Sequence, residues 1–171
     1  MKTKLKVINP LFLPSIEKEV RKLLQAKIIV DLRYSECVAN LVHVSKKSEE
    51  IRLCVDLRNL NRALLKDNYP LPTMDHILQK VVGSARISMM DGFFSYNQVV
   101  VHPEDQKKIA FTTPRGTFMY AHMPFGMINA GATFQRAMDI DFVGEQDKFM
   151  VVYIEGITVF SKIDEEHIIH L

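Results

Sequence analysis

The chain has 171 residues, 47% of them hydrophobic and 25% charged, with a formal net charge of +2. That suits one domain or two closely packed lobes with a sizeable core, and no apolar run approaches the length of a membrane span. Two cysteines, Cys37 and Cys54, show no pairing or zinc pattern, which excludes a disulfide scaffold and points to a reduced, intracellular setting.

The charge is uneven: residues 1–66 balance to +7 and residues 67–171 to −5. A basic first part joined to an acidic second part suits a protein that grips a polyanion and holds cations beside it. The opening Met1-Lys2-Thr3-Lys4 is basic, but Asn9-Pro10 and Pro14 interrupt the apolar stretch behind it, unlike a signal peptide. Ser15 fits an N-cap for an amphipathic helix carrying Ile16, Val20, Leu23 and Leu24, with Glu17 and Glu19 in the first turn where the helix dipole favours anions. Ile28 to Val30 reads as a short strand. Residues 39–44 and 51–55 read as two more, joined by a polar loop. Lys46 and Lys47 in that loop fit either a solvated edge or a phosphate grip, and both readings stand.

Arg58 and Arg62 are spaced for one face of a helix within 56–66. Tyr69-Pro70-Leu71-Pro72 must be extended, because each proline restricts its predecessor. Thr73 caps a helix with Met74, Ile77, Leu78 and Val81 on one face, stopped by Gly83. Ile87 to Met90 forms a strand that delivers Asp91 directly before Gly92. Residues 98–102, 109–113 and 117–122 read as three strands, with turns at Pro103 and at Pro114-Arg115-Gly116. Asn129 is placed to cap a helix through Ile140, whose small residues Ala130, Gly131 and Ala132 allow close approach.

Phe149 to Ile154 is apolar without a break, a strand covered on both faces, and Glu155-Gly156 then reads as a tight two-residue turn. Glu155 is either a solvated turn residue or a carboxylate presented to a metal or substrate. Gly156 is accounted for by a turn that needs positive φ. Asp164 is placed to cap a last helix, where His167 and His170 read as surface residues lacking a metal-binding His-Glu-x-x-His pattern.

Seven markers fall in order along the chain. They are Cys54-Val55-Asp56-Leu57-Arg58-Asn59-Leu60-Asn61, Asp67-Asn68-Tyr69-Pro70-Leu71-Pro72, and Met90-Asp91-Gly92-Phe93 with Tyr96-Asn97-Gln98. Then come Phe111-Thr112-Thr113-Pro114 with Gly116, Met123-Pro124-Phe125-Gly126, Asn129-Ala130 with Ala132-Thr133-Phe134-Gln135, and Phe160-Ser161-Lys162. Together they resemble the reverse transcriptase of gypsy-type long-terminal-repeat retrotransposons common in plants, over nearly the whole chain. The resemblance implies an α+β polymerase fingers–palm fold, with a small antiparallel palm sheet packed on helices. Residues 1–66 and 99–128 would be fingers-like and 67–98 and 129–171 palm-like, with the thumb and ribonuclease H domain absent.

The same resemblance implies site residues. Asp91 matches the first metal-binding aspartate, assisted by the carbonyl of Gly92, and Tyr96 matches the aromatic gate against a ribose 2′-hydroxyl. Lys47 or Lys46, with Arg52, matches the cations on the incoming triphosphate. Phe125 lies beside the nucleotide, and Gln135 follows on the supporting helix. The implied cofactor is a pair of Mg²⁺ ions, because phosphoryl transfer needs developing charge on the attacking and leaving oxygens stabilised by metals held on oxygen ligands. The implied partners are an RNA or DNA template–primer and deoxynucleoside triphosphates, with no membrane and with the oligomeric state open.

The hairpin departs from the family's Tyr-x-Asp-Asp: it reads Tyr153-Ile154-Glu155-Gly156, so Glu155 keeps a charge one methylene farther out and Gly156 supplies none. Phe94-Ser95 and Cys37 also differ from the common pattern. Three readings follow. They are a catalytically degenerate reverse transcriptase domain, a weakly active core using Asp91 and Glu155, and a non-enzymatic nucleic-acid-binding or assembly module.

Overall fold

The computed structural model describes residues 8–45, 51–92 and 95–171, with the side chains of 43–45 and 51–53 outside the description. In chain order the elements are α1 (Leu13–Gln25), β1 (Ile29–Asp31), β2 (Val38–Ser45), β3 (Ile51–Val55), α2 (Arg58–Ala63), α3 (Met74–Val81) and β4 (Arg86–Asp91). There follow α4 (Pro103–Gln106), β5 (Ala110–Thr113), β6 (Gly116–Tyr120), α5 (Ala130–Asp141), β7 (Met150–Tyr153), β8 (Gly156–Ser161) and α6 (His167–His170). They form two compact units, Met1–Leu65 with Asn97–Ile128 and Lys66–Tyr96 with Asn129–Leu171.

In the first unit, α1 buries Ile16 and Val20 against a core of Ile29, Leu41, Phe111, Phe118 and Tyr120. The helix starts before Ser15. Asn9 accepts the Leu11 N–H across a short 3₁₀ turn, and Pro14, with fixed φ and no N–H to satisfy, suits the first helical turn, so Ser15 is helical and caps nothing. The sheet order is β1-β6-β5-β2-β3, with β2 parallel to β5 and the other pairs antiparallel. The strand expected over 98–102 does not form. Tyr96–Gln98 is a 3₁₀ turn, Val100 makes a single bridge to His122, and Pro103 opens α4 instead of marking a turn. Asn61 fastens the loop after β6: its Nδ2 donates to the Gly126 carbonyl, and its Oδ1 accepts from Ile128 N–H.

The second unit carries the antiparallel sheet β4-β8-β7. Met150, Val151 and Val152 of β7 are all buried, as an unbroken apolar strand requires. The α3 helix is capped by Thr73, whose hydroxyl accepts the His76 N–H, and Gly83 at φ +79° follows its end. Only Ile77 of the expected apolar face is fully buried, while Met74 and Leu78 are each 52% exposed. Two further caps are redirected. Asn129 precedes α5, but its side chain accepts the Asp67 N–H, and Asp164 pairs with Arg86 instead of capping.

His167 overturns the surface reading. It is 1% exposed, with Nε2 2.7 Å from Ser88 Oγ on β4 and Nδ1 2.9 Å from Ser161 Oγ on β8. His170 meets the same Ser161 hydroxyl at 2.7 Å and stacks on Phe149 at 4.7 Å. A buried polar ring survives there because both nitrogens have partners.

Candidate active site

The hairpin turn lies one residue earlier than the sequence suggests. Tyr153 pairs with Gly156, so Ile154 and Glu155 form the two-residue turn and Gly156 opens β8. Gly156 is also opposite Asp91, and a residue paired on both sides within a central strand cannot bend as a turn. Positive φ falls on Ile154 at +55°, an uncommon conformation for a β-branched residue, and Gly156 does not share it.

Strand β4 ends at Asp91, exposed and directly across from Gly156. The next residue ties the two strand ends together, since Gly92 N–H donates to the Glu155 carbonyl at 2.8 Å. A Cβ on Gly92 would stand 2.9 Å from that carbonyl oxygen and 3.0 Å from the Ser95 Cβ, so the close approach depends on glycine. Gly156 differs: a Cβ there meets nothing nearer than the Tyr153 carbonyl, at 3.6 Å.

Tyr96 completes the cluster. It is 8% exposed, its ring sets edge-on to Phe134 at 5.7 Å, and its hydroxyl hydrogen-bonds the Glu155 carboxylate. Burial first, and then the Glu155 charge and hydrogen bond, push the phenol up to about 12. This bond between Glu155 and Tyr96 had no signal in the sequence, where the extra methylene reads only as displacement.

Gln135 lies fully buried on α5, with Nε2 donating to Asp139 Oδ1 at 3.0 Å and to the Val152 carbonyl of β7 at 3.3 Å. It therefore braces the hairpin strand from behind. Asp139 is the hub of that brace and was not singled out from sequence: Tyr69 Oη donates to it at 2.5 Å and Gln146 Nε2 at 3.0 Å. Burial pushes the Asp139 carboxyl up, but hydrogen bonds from Tyr69, Gln146 and Gln135 outweigh it and hold the group below its ordinary value. Phe125 is 49% exposed in the first unit, on the loop that Asn61 fastens. Lys46 and Lys47 lie outside the described residues. Arg52 pairs through its backbone with Val44, and its side chain lies outside the description.

The residues present do not fit a pair of divalent ions. Among the described residues no three His, Cys, Asp or Glu side chains gather as metal ligands. At the hairpin there are two carboxylates, one of them hydrogen-bonded to Tyr96, and the position opposite Asp91 is glycine.

The family model for reverse transcriptase (RNA-dependent DNA polymerase) matches residues 44–171. The chain belongs to the reverse transcriptase family. Members generally use Mg²⁺. The chain is 33% identical to the Tf2-3 and Tf2-7 transposon polyproteins of Schizosaccharomyces pombe over 131 residues, 77% of its own length. It spans only 10% of those polyproteins. Its fold is that of reverse transcriptase fingers and palm. The native protease-reverse transcriptase of prototype foamy virus superposes with a TM-score of 0.85 over 97% of this chain and 22% of the viral one, at 23% identity. The foamy viral enzyme in complex with RNA/DNA hybrid gives 0.86 over 97% and 22%, at 20% identity. These relatives make the chain a reverse transcriptase-like domain of the kind found in retrotransposon polyproteins. No described helix is long and apolar enough to cross a membrane.

Proposed function

We propose that this reverse transcriptase domain derives from a plant gypsy-type long-terminal-repeat element and has lost most or all of its DNA synthesis. The observation that carries the loss is the pairing of Asp91 with Gly156, which leaves glycine where the family's second hairpin aspartate would stand. The first unit serves as fingers and the second as palm. Asp91, Glu155 and the Gly92 carbonyl are what remains of the family's metal-binding set, too few to hold its pair of Mg²⁺ ions. By the family resemblance Tyr96 and Phe125 take roles toward the nucleotide and Lys46, Lys47 and Arg52 toward its triphosphate, and Gln135 supports the hairpin from α5. The partners are an RNA or DNA template–primer and deoxynucleoside triphosphates, in an intracellular compartment. The motif order and the binding partners named for the foamy viral enzymes support this reading.

The test compares the chain as written with Glu155→Asp/Gly156→Asp, each alone and joined to a family thumb, in Mg²⁺ titration and primer extension with Mg²⁺ or Mn²⁺. The double variant should fold as before, because a Cβ at Gly156 has ordinary contacts. It should bind Mg²⁺ at least about tenfold more tightly, since a restored carboxylate adds a direct ligand and removing outer partners alone typically costs 10- to 100-fold. Primer extension by the unmodified protein as fast as by the restored one would favour the weakly active reading instead.

A further inference from the structure

The second unit contains a cleft of about 400 Å³ away from the hairpin tip. Pro70, Pro72, Ile77 and Val151 give it apolar walls, and α5 contributes Gln135 and Asp139 to its lining. The volume lies within the range of small-molecule sites, which combine apolar walls with a few convergent polar groups.

The hydrogen-bonding capacity at the Gln135–Asp139 end is one-sided. Both hydrogens of the Gln135 amide nitrogen are used, on Asp139 Oδ1 and the Val152 carbonyl. Those of Gln146 are used on the same Oδ1 and the Met138 carbonyl, and the Tyr69 hydroxyl hydrogen on Asp139 Oδ2. What remains is acceptor capacity. The Gln135 Oε1 is buried without a hydrogen-bond partner in a side chain 2% exposed, and Asp139 Oδ2 keeps a lone pair. A buried amide oxygen without a donor is unusual enough to require an explanation. The other charges lining the cleft, Lys80 and Asp147, pair with one another, and His76 lines it as well.

We propose that this cleft binds a planar N–H-rich cation, a guanidinium or amidinium on an apolar body, with Asp139 as its anionic partner and Gln135 as its second acceptor. Pro70, Pro72 and Val151 offer apolar surface to the body, and the donor edge supplies what the two acceptors lack. The site stands independently of the polymerase reading. Its natural occupant carries this group either as a free small molecule or as an arginine side chain.

Benzamidinium titrated into the whole chain, followed by calorimetry and by the NMR signals of the glutamine side-chain amides, should saturate. Asp139→Asn should weaken it at least tenfold, and neutral benzamide, lacking the cationic donor edge, should bind at least tenfold more weakly than benzamidinium. Nα-acetyl-arginine methylamide separates the sources: comparable binding assigns the cleft to an arginine side chain, and binding of benzamidinium alone assigns it to a free small molecule. Leu71→Trp, at a 43% exposed position lining the cleft, should abolish binding with the fold intact, and stands in if Asp139→Asn unfolds. No saturation, benzamide binding as tightly as benzamidinium, or indifference to Leu71→Trp would overturn the proposal and leave a trapped water as the partner of Gln135.

Discussion

Two glycines flank the hairpin, and space holds only one of them to its identity. Gly92→Ala would press a methyl group to within 2.9 Å of the Glu155 carbonyl oxygen, a backbone atom that cannot rotate away. The expected destabilisation is about 1–3 kcal/mol by the usual cost of overpacking, read from urea midpoints. Gly156→Ala should instead be neutral or stabilising by up to roughly 1 kcal/mol, because it restricts the unfolded chain without strain in the folded one. Tyr96 supplies a prediction in pH. Its folded value is raised from 10.0 to about 12, so its contribution is fully present below pH 10 and lost as pH rises toward 12. The loss should show as stability falling across that range, and Glu155→Gln should shrink it. A denaturation series between pH 9 and 12 on both proteins decides the point.

At the scale of elements, the buried His167 imidazole of α6 bridges β4 and β8, and His170 adds a second bond to Ser161. His167→Ala should cost about 2–4 kcal/mol, combining a lost buried side chain with a Ser88 hydroxyl left short of its imidazole partner, while Ser161 keeps His170. A change under about 0.5 kcal/mol in chemical denaturation, the range of ordinary surface substitutions, would show that α6 is not held this way. Strands that bury a face were legible in the sequence: β5, β6 and β7 each emerge from apolar runs bounded by glycine or proline, and β4 from a similar run although it stays largely exposed. Caps were less so. Asn129 and Asp164 have the right residue types just before helices, yet their side chains bond partners 62 and 78 positions away. A capping pattern is local, and nothing local reveals a competing distant partner. The candidate site divides in the same way. Asp91 and the hairpin could be read from strand ends and turn residues, whereas the Tyr96–Glu155 bond and the Asp139 hub exist only once separate segments meet.

Across the whole molecule, the charge asymmetry follows the structural division: the first unit carries +7 and the second −5. Primer–template duplex should therefore bind through phosphate contacts that release counterions. Between 50 and 200 mM salt the affinity of the intact chain should fall at least about tenfold, the effect of two or more neutralised phosphates. Fluorescence anisotropy across that range checks it, and a flat salt response would remove the nucleic-acid grip from the proposed function.

Each unit is assembled from two stretches separated in sequence, and the chain passes between the units at 65/66, 96/97 and 128/129. No single genetic crossover with a related element can exchange one unit and leave the other purely parental. Any exchange point between Asp91 and Glu155 sets a donor hairpin against a resident aspartate strand. One recombination event supplying a Tyr-x-Asp-Asp hairpin would thus return both missing aspartates at once, provided its strand keeps the pairing with β4. The same event run the other way would hand the Glu-Gly hairpin to a copy that carries Tyr-x-Asp-Asp.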